Sequence, residues 1–102
     1  MANKRYKIKY LPTSILQLNN ILYYITYTLN NKIAANNLYK EIVKQIEKRS
    51  EAPDSYKIFK TVCNVKFYRI NVKKYSIFYT VKNNTMEIRR IYYGQRNIDK
   101  IL

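Results

Sequence analysis

The stretch from Lys74 to Gly94 constrains the fold most, because two strand-like runs, a tight turn and the chain's only glycine follow one another there without a gap. Tyr75, Ile77, Tyr79 and Val81 alternate with Ser76, Phe78, Thr80 and Lys82, the period of two that belongs to a strand. Both sets hold a large residue, so the strand is expected to be covered on both sides and central in its sheet, since a strand facing water would be polar on one side. Asn83-Asn84 comes next, and asparagine tolerates the left-handed backbone that a two-residue hairpin loop requires. Met86 to Tyr93 is the returning strand, and strict alternation puts Arg89 and Arg90 on opposite faces of it. Gly94 then marks a backbone turn. Beyond that turn, Ile98, Ile101 and Leu102 share a helical face and are expected to pin the tail back onto the sheet.

Upstream, Tyr6 to Tyr10 alternates cleanly and reads as a strand closed by Leu11-Pro12, with Lys7 and Lys9 facing outward as suits a sheet edge. Ser14 and Gln17 have the spacing of a capping box, and Ile15, Leu18, Leu22, Ile25 and Leu29 repeat at three and four, which predicts a helix from about Ser14 to Leu29. Asn30-Asn31 breaks it. A second amphipathic helix, about Lys32 to Lys48, turns Ala35, Leu38, Ile42 and Ile46 inward, and the short connection makes the pair an antiparallel hairpin. Ser50 to Asn64 shows no sustained period and reads as an ordered loop. Val65 to Val72 is the next strand, and Lys73-Lys74 turns it into the strand at Tyr75.

The result is one α+β domain over residues 1–102: an antiparallel sheet in the order β-α-α-β-β-β, with a two-helix hairpin packed on one face. Its expected core is Ile15, Leu18, Leu22, Leu38, Ile42, Ile77, Tyr79 or Phe78, and Ile88 or Ile91. At 102 residues and 47% apolar composition the chain is large enough to bury such a core without staples.

Charge narrows the function. Twenty Lys and Arg stand against six acids, a net +14, and neither Met1 to Lys40 nor Ser55 to Met86 contains an acid. Such a field attracts polyanions: nucleic acid, an acidic protein or an anionic membrane surface. Base stacking by the twelve tyrosines would fit, although Lys, Asn, Ile and Tyr all use A/T-rich codons and are enriched together here. The longest apolar run, Ile21 to Ile25, is far too short to span a bilayer and no signal peptide is recognisable, so the expectation is a cytoplasmic protein without membrane partners. One cysteine, Cys63, and no histidine leave no metal-ligand motif and no expected cofactor.

This order of elements, with Arg69 on a strand, a Tyr-x-Ile-Phe-Tyr run at Tyr75 to Tyr79, and the ending Arg90-Ile91-Tyr92-Tyr93-Gly94-Gln95-Arg96-Asn97 closed by Ile101-Leu102, resembles the RelE/ParE superfamily of bacterial type II toxins. The resemblance runs over almost the whole chain. It implies a toxin held inactive in a hetero-oligomer by a cognate acidic antitoxin, whose C-terminal segment wraps it. Members resembling RelE cut ribosome-bound mRNA, and members resembling ParE inhibit DNA gyrase. Against the cutting branch, Arg69 and Arg96 match the family's arginines, but Ser76 stands where a second strand arginine belongs, Phe67 where a lysine does, and no late tyrosine comes after Arg96. The ending Gln95-Arg96-Asn97-Ile98 looks more like the ParE pattern. The resemblance therefore implies target or phosphate binding by Arg69, Arg90, Arg96 and Asn97, with Ile98, Ile101 and Leu102 as a tail for antitoxin or target. If the chain is instead a nuclease, the residues to carry it are Arg69, Arg96 and Tyr93. A basic RNA-binding domain without toxicity is the remaining alternative. Chemistry favours binding: hydroxyl attack on RNA needs a base and an acid, and a tyrosine with pKa about 10 is a poor base at neutral pH.

Overall fold

The computed structural model describes residues 5–94. Strand β1 (Lys7–Tyr10) leads into helix α1 (Pro12–Tyr23), which continues as a π-helical turn (Tyr24–Thr28); α2 (Lys32–Arg49) and a 3₁₀ turn (Pro53–Ser55) come after it. Then come β2 (Lys60–Val62), β3 (Val65–Val72), β4 (Tyr75–Lys82) and β5 (Thr85–Tyr93). The strands form one sheet in the order β1-β5-β4-β3-β2, so β4 is central, as its two apolar faces demand.

Two features differ from the sequence expectation. The expected loop contains a fifth strand, β2, too short for periodicity to reveal, joined to β3 by Cys63-Asn64 with both residues at positive φ (51° and 67°). That is the backbone of a tight primed turn, here carried partly by a cysteine, which gives no turn signal. The sheet is also not wholly antiparallel: β1 pairs in parallel with β5, Lys7 opposite Thr85 and Tyr10 opposite Ile88. The turns at Asn83-Asn84 and Lys73 adopt positive φ as expected of hairpin loops.

Both helices lie on one face of the sheet. Leu18, Ile25, Ala35, Leu38, Ile42 and Ile46 pack there against Tyr68, Ile70, Ile77, Tyr79, Ile88 and Ile91. Phe78 is buried as well, on the opposite face. Ile15, expected in the core, is 47% exposed. Pro12 starts α1 at its first position, where a missing N–H costs nothing, and the buried stripe therefore begins at Ser14. Ser14 is no cap: its Oγ donates to the Leu11 carbonyl at 2.8 Å. Gln17 does different work. Its Oε1 accepts the Ile91 N–H at 2.8 Å, filling an edge position of β5 just beyond the end of the four-residue β1. Leu29 is 55% exposed because the π turn, closed by a bond from the Leu29 N–H to the Tyr24 carbonyl, rotates the chain end of this helix away from the α-helical stripe.

Candidate target-binding face

On the face away from the helices, Arg69, Phe78 and Arg90 stand in one row, for Arg69 pairs with Phe78 across β3 and β4, and Phe78 with Arg90 across β4 and β5. Two strand spacings separate the arginines, about 10 Å between Cα atoms. Phe78 between them is fully buried although neither α1 nor α2 covers it. The rings of Phe59 and Tyr92 lie over it, with centroids 5.2 and 6.1 Å away. The Arg69 guanidinium in turn rests 4.7 Å from the Phe59 ring centroid, within reach of a cation–π attraction that holds its plane.

A bulge in β5 adds a third arginine. Phe78 pairs with Arg90 but Tyr79 with Ile88, so Arg89 is an extra residue in the ladder. Arg89 and Arg90 therefore share the open face, contrary to the alternation expected from sequence, and Ile88 and Ile91 both reach the core. Arg89 is engaged: its Nη1 contacts Glu87 Oε1 at 3.4 Å and its guanidinium lies 5.6 Å from the Phe67 ring centroid. Arg90 Nη1 donates only to the Arg89 carbonyl, at 2.9 Å. Among the described residues no carboxylate pairs with Arg69 or Arg90. Beside Arg69, a cleft lined by Lys57, Phe59 and Asn71 adds another cation and an amide. Two cations without acids, one of them braced on a ring, can hold phosphate or carboxylate groups.

Of the candidate nuclease residues, the two that are described, Arg69 and Tyr93, lie apart. Tyr93 is 60% exposed and sits edge-on against Tyr75 at 5.3 Å, beside the Ile21, Tyr24 and Ile25 side chains of the helical layer, whereas Arg69 lies on the other face of the sheet. Ser76, at the position where the cutting branch has an arginine, is fully buried, and its Oγ donates to the Gly94 carbonyl at 3.1 Å. Tyr79 is structural too. Its hydroxyl donates to the Pro53 carbonyl at 2.7 Å and accepts from Arg49 Nη1 at 2.9 Å, and burial pushes its pKa up against the opposing pull of Arg49. Arg96, Asn97, Ile98, Ile101 and Leu102 lie outside the described residues.

Sequence reasoning missed Arg49. It was one more basic residue at a helix C-terminus, but its guanidinium sits 3.6 Å from the Tyr56 ring centroid while bonding Tyr79, so it ties α2 and the adjoining turn to the central strand. Among the described residues no group of His, Cys, Asp and Glu gathers to hold a metal, and no helix is long and apolar enough to cross a membrane.

With sheet order, helical layer and open basic face established, comparison with known proteins is decisive. Residues 8–98 match the family model described as the ParE toxin of the type II toxin-antitoxin system parDE. The chain belongs to the ParE toxin family. A solved structure described as the chromosomal ParDE TA system from P. aeruginosa shares its fold, with a TM-score of 0.73 at 17% identity, covering 89% of this chain and 98% of that one. No curated protein matches. This ParE-family chain thus carries the α+β fold its sequence announced, with the parallel β1 and the extra β2 as its departures from the simple scheme.

Proposed function

We propose that this ParE-family toxin arrests growth by binding a macromolecular target, DNA gyrase, and that it does so without cutting RNA. The observation that carries the reading is the division of the sheet: Arg69 and Arg90 are presented on the open face without acid partners among the described residues, while Tyr93, the tyrosine named for proton transfer, is on the other. Anion-binding capacity lies on the face from which Tyr93 is absent, which favours binding over cutting. Forgoing an acid or base costs a factor of about 10² to 10⁴ in rate, enough to make binding the stronger reading. The partner that holds the toxin in check is an acidic antitoxin in a hetero-oligomer, and the +14 charge steers their encounter.

The deciding experiment adds the purified chain to DNA gyrase in a supercoiling assay and, separately, to translating ribosomes with mRNA. Loss of supercoiling with intact mRNA is the expected result. Codon-phased cleavage of mRNA with normal supercoiling would replace the gyrase reading by the endonuclease one.

A further inference from the structure

The sheet parts at one corner. Pairing of β3 with β4 runs from Val72 opposite Tyr75 to Tyr68 opposite Tyr79 and stops there, although β3 begins at Val65 and β4 continues to Lys82. Beyond that point each strand keeps only its other neighbour: Val65, Lys66 and Phe67 pair with β2, and Thr80, Val81 and Lys82 with β5. The break falls at the level of the Arg89 bulge, and a bulge bends its ladder and increases the local twist. A cleft of about 580 Å³ lies where the two hairpins separate, with Asn64, Lys66 and Tyr68 on one side, Thr80, Lys82, Glu87 and Arg89 on the other, and Asp54 at its margin.

Tyr68 is the telling residue in this lining. It is only 4% exposed, and its ring stacks on that of Tyr79 with centroids 5.2 Å apart, so the side chain is held in place. Its hydroxyl nevertheless has no hydrogen-bond partner among the described residues. Buried hydroxyls are ordinarily satisfied, and this one opens into the cleft instead. Burial, and then the nearby Asp54 carboxylate, push its pKa up, so at neutral pH it stays protonated and able to donate. Asp54 accepts only from the Tyr6 hydroxyl, at 3.3 and 3.4 Å, and keeps lone pairs free. Lys66 and Lys82, one from each parted strand, have no acid partner among the described residues, whereas Arg89 is held by Glu87.

This set selects a ligand with two kinds of group. A plain anion would meet Asp54, and a plain cation would meet both lysines. A phosphate monoester carries a charge of about −1.5 to −2 at pH 7, which suits a pair of lysines acting as point charges. The carboxylate then calls for a hydrogen-bond donor elsewhere on the same molecule. We propose that the cleft binds a nucleoside monophosphate whose base carries an amino group, with the phosphate between Lys66 and Lys82, the amino group on Asp54, and the Tyr68 hydroxyl donating to the ligand. The site is separate from the row of Arg69 and Arg90 and does not depend on the target of the toxin. A ligand there bridges two hairpins that the sheet leaves unjoined, so it stabilises the folded chain by mass action.

The test titrates the purified chain with AMP, UMP and inorganic phosphate by calorimetry at physiological salt, and repeats the AMP titration on Tyr68→Phe, on Asp54→Asn and on the pair Lys66→Gln with Lys82→Gln. AMP is expected to bind at one site and to raise the melting temperature. UMP, which has no amino group on its base, should bind about tenfold more weakly or worse, the range for losing a hydrogen bond to a charged group. Tyr68→Phe removes a hydroxyl that bonds nothing else in the described chain, so its melting temperature without ligand should hold while its affinity for AMP falls about fivefold. The lysine pair should lose AMP altogether, and Asp54→Asn, at an exposed turn position, should lose the preference for AMP over UMP. Absence of AMP binding at millimolar concentration overturns the proposal. So does equal binding of AMP, UMP and phosphate that Tyr68→Phe leaves intact, for that is unspecific attraction to the +14 charge. Binding of AMP that Arg90→Gln abolishes and Tyr68→Phe does not would also overturn it, by placing the nucleotide on the open face.

Discussion

The two faces of the sheet bury their residues by different means. Against the helices, aliphatic side chains from α1 and α2 interlock with Ile70, Ile77, Ile88 and Ile91, and stability there is a matter of volume. On the open face Phe78 is equally inaccessible, but its cover is the rings of Phe59 and Tyr92, with the Arg69 guanidinium over Phe59. An arginine covering a ring keeps its head in water. The first face is therefore the source of stability, and the second a surface whose charges remain available to a partner.

The largest effect should come from the helix-covered face. Ile42 is fully buried at the centre of α2, and Ile42→Ala is expected to cost about 2 to 5 kcal/mol, the range for truncating a large core aliphatic. Chemical denaturation would measure it. A loss near zero would mean that the helical layer does not supply the stability assigned to it.

Next comes the polar pin through that layer. Tyr79→Phe leaves Arg49 and the Pro53 carbonyl without their shared hydroxyl, an expected loss of about 1 to 3 kcal/mol. The same hydroxyl gives a pH signature. Burial raises the pKa of Tyr79 and of Tyr10 in the folded chain above the ordinary value of about 10, so the unfolded state surrenders its protons first. Their contribution is complete below about pH 10 and is lost as pH rises through the folded values. Unfolding measured from neutral pH upward should show stability falling in that window, less steeply in Tyr79→Phe. An identical fall in both would remove Tyr79 as a cause.

A smaller loss is expected where the helical layer meets the sheet edge. Gln17→Ala deletes the acceptor of the Ile91 N–H, a single hydrogen bond worth about 0.5 to 1.5 kcal/mol, with some return if water takes its place. Hydrogen exchange at Ile91 should quicken in that variant. Unchanged protection there would mean that the edge of β5 is held by something other than Gln17.

The range of each interaction explains why some of this was legible in sequence and some was not. β4 and α2 carry unbroken periods of two and of three to four, and local pattern sufficed to place them and most of the core. β2 has three residues, less than a pattern needs. The parallel pairing of β1 with β5 joins residues far apart in the chain, and no local signal encodes it. Gln17 had capping-box spacing, but a proline already began the helix and the side chain found a better-placed donor 74 residues away. The bulge at Arg89 is a similar case: two adjacent arginines satisfy alternation in the sequence, and only the burial of both Ile88 and Ile91 forces the extra residue. For the site, Arg69 and Arg90 were nameable from the family resemblance, whereas their alignment across Phe78 depends on strand register. Arg49 gave no usable signal, because a basic residue ending a helix is explained by the helix dipole alone.

The smallest stability effect should come from the open face, and it is the sharpest test of the contrast. Arg69 pairs with no described carboxylate, and its guanidinium contributes a partly exposed cation–π contact with Phe59, worth about 0.5 to 1 kcal/mol at such sites. Arg69→Gln keeps much of the stem that lies along the sheet and removes the charge, so the melting temperature should move little. If the face serves a target, growth arrest on induction should nevertheless weaken strongly. A variant that melts much earlier would place Arg69 among the structural residues with Arg49. One that keeps both its stability and its full toxicity would mean that the target reads a different part of the chain.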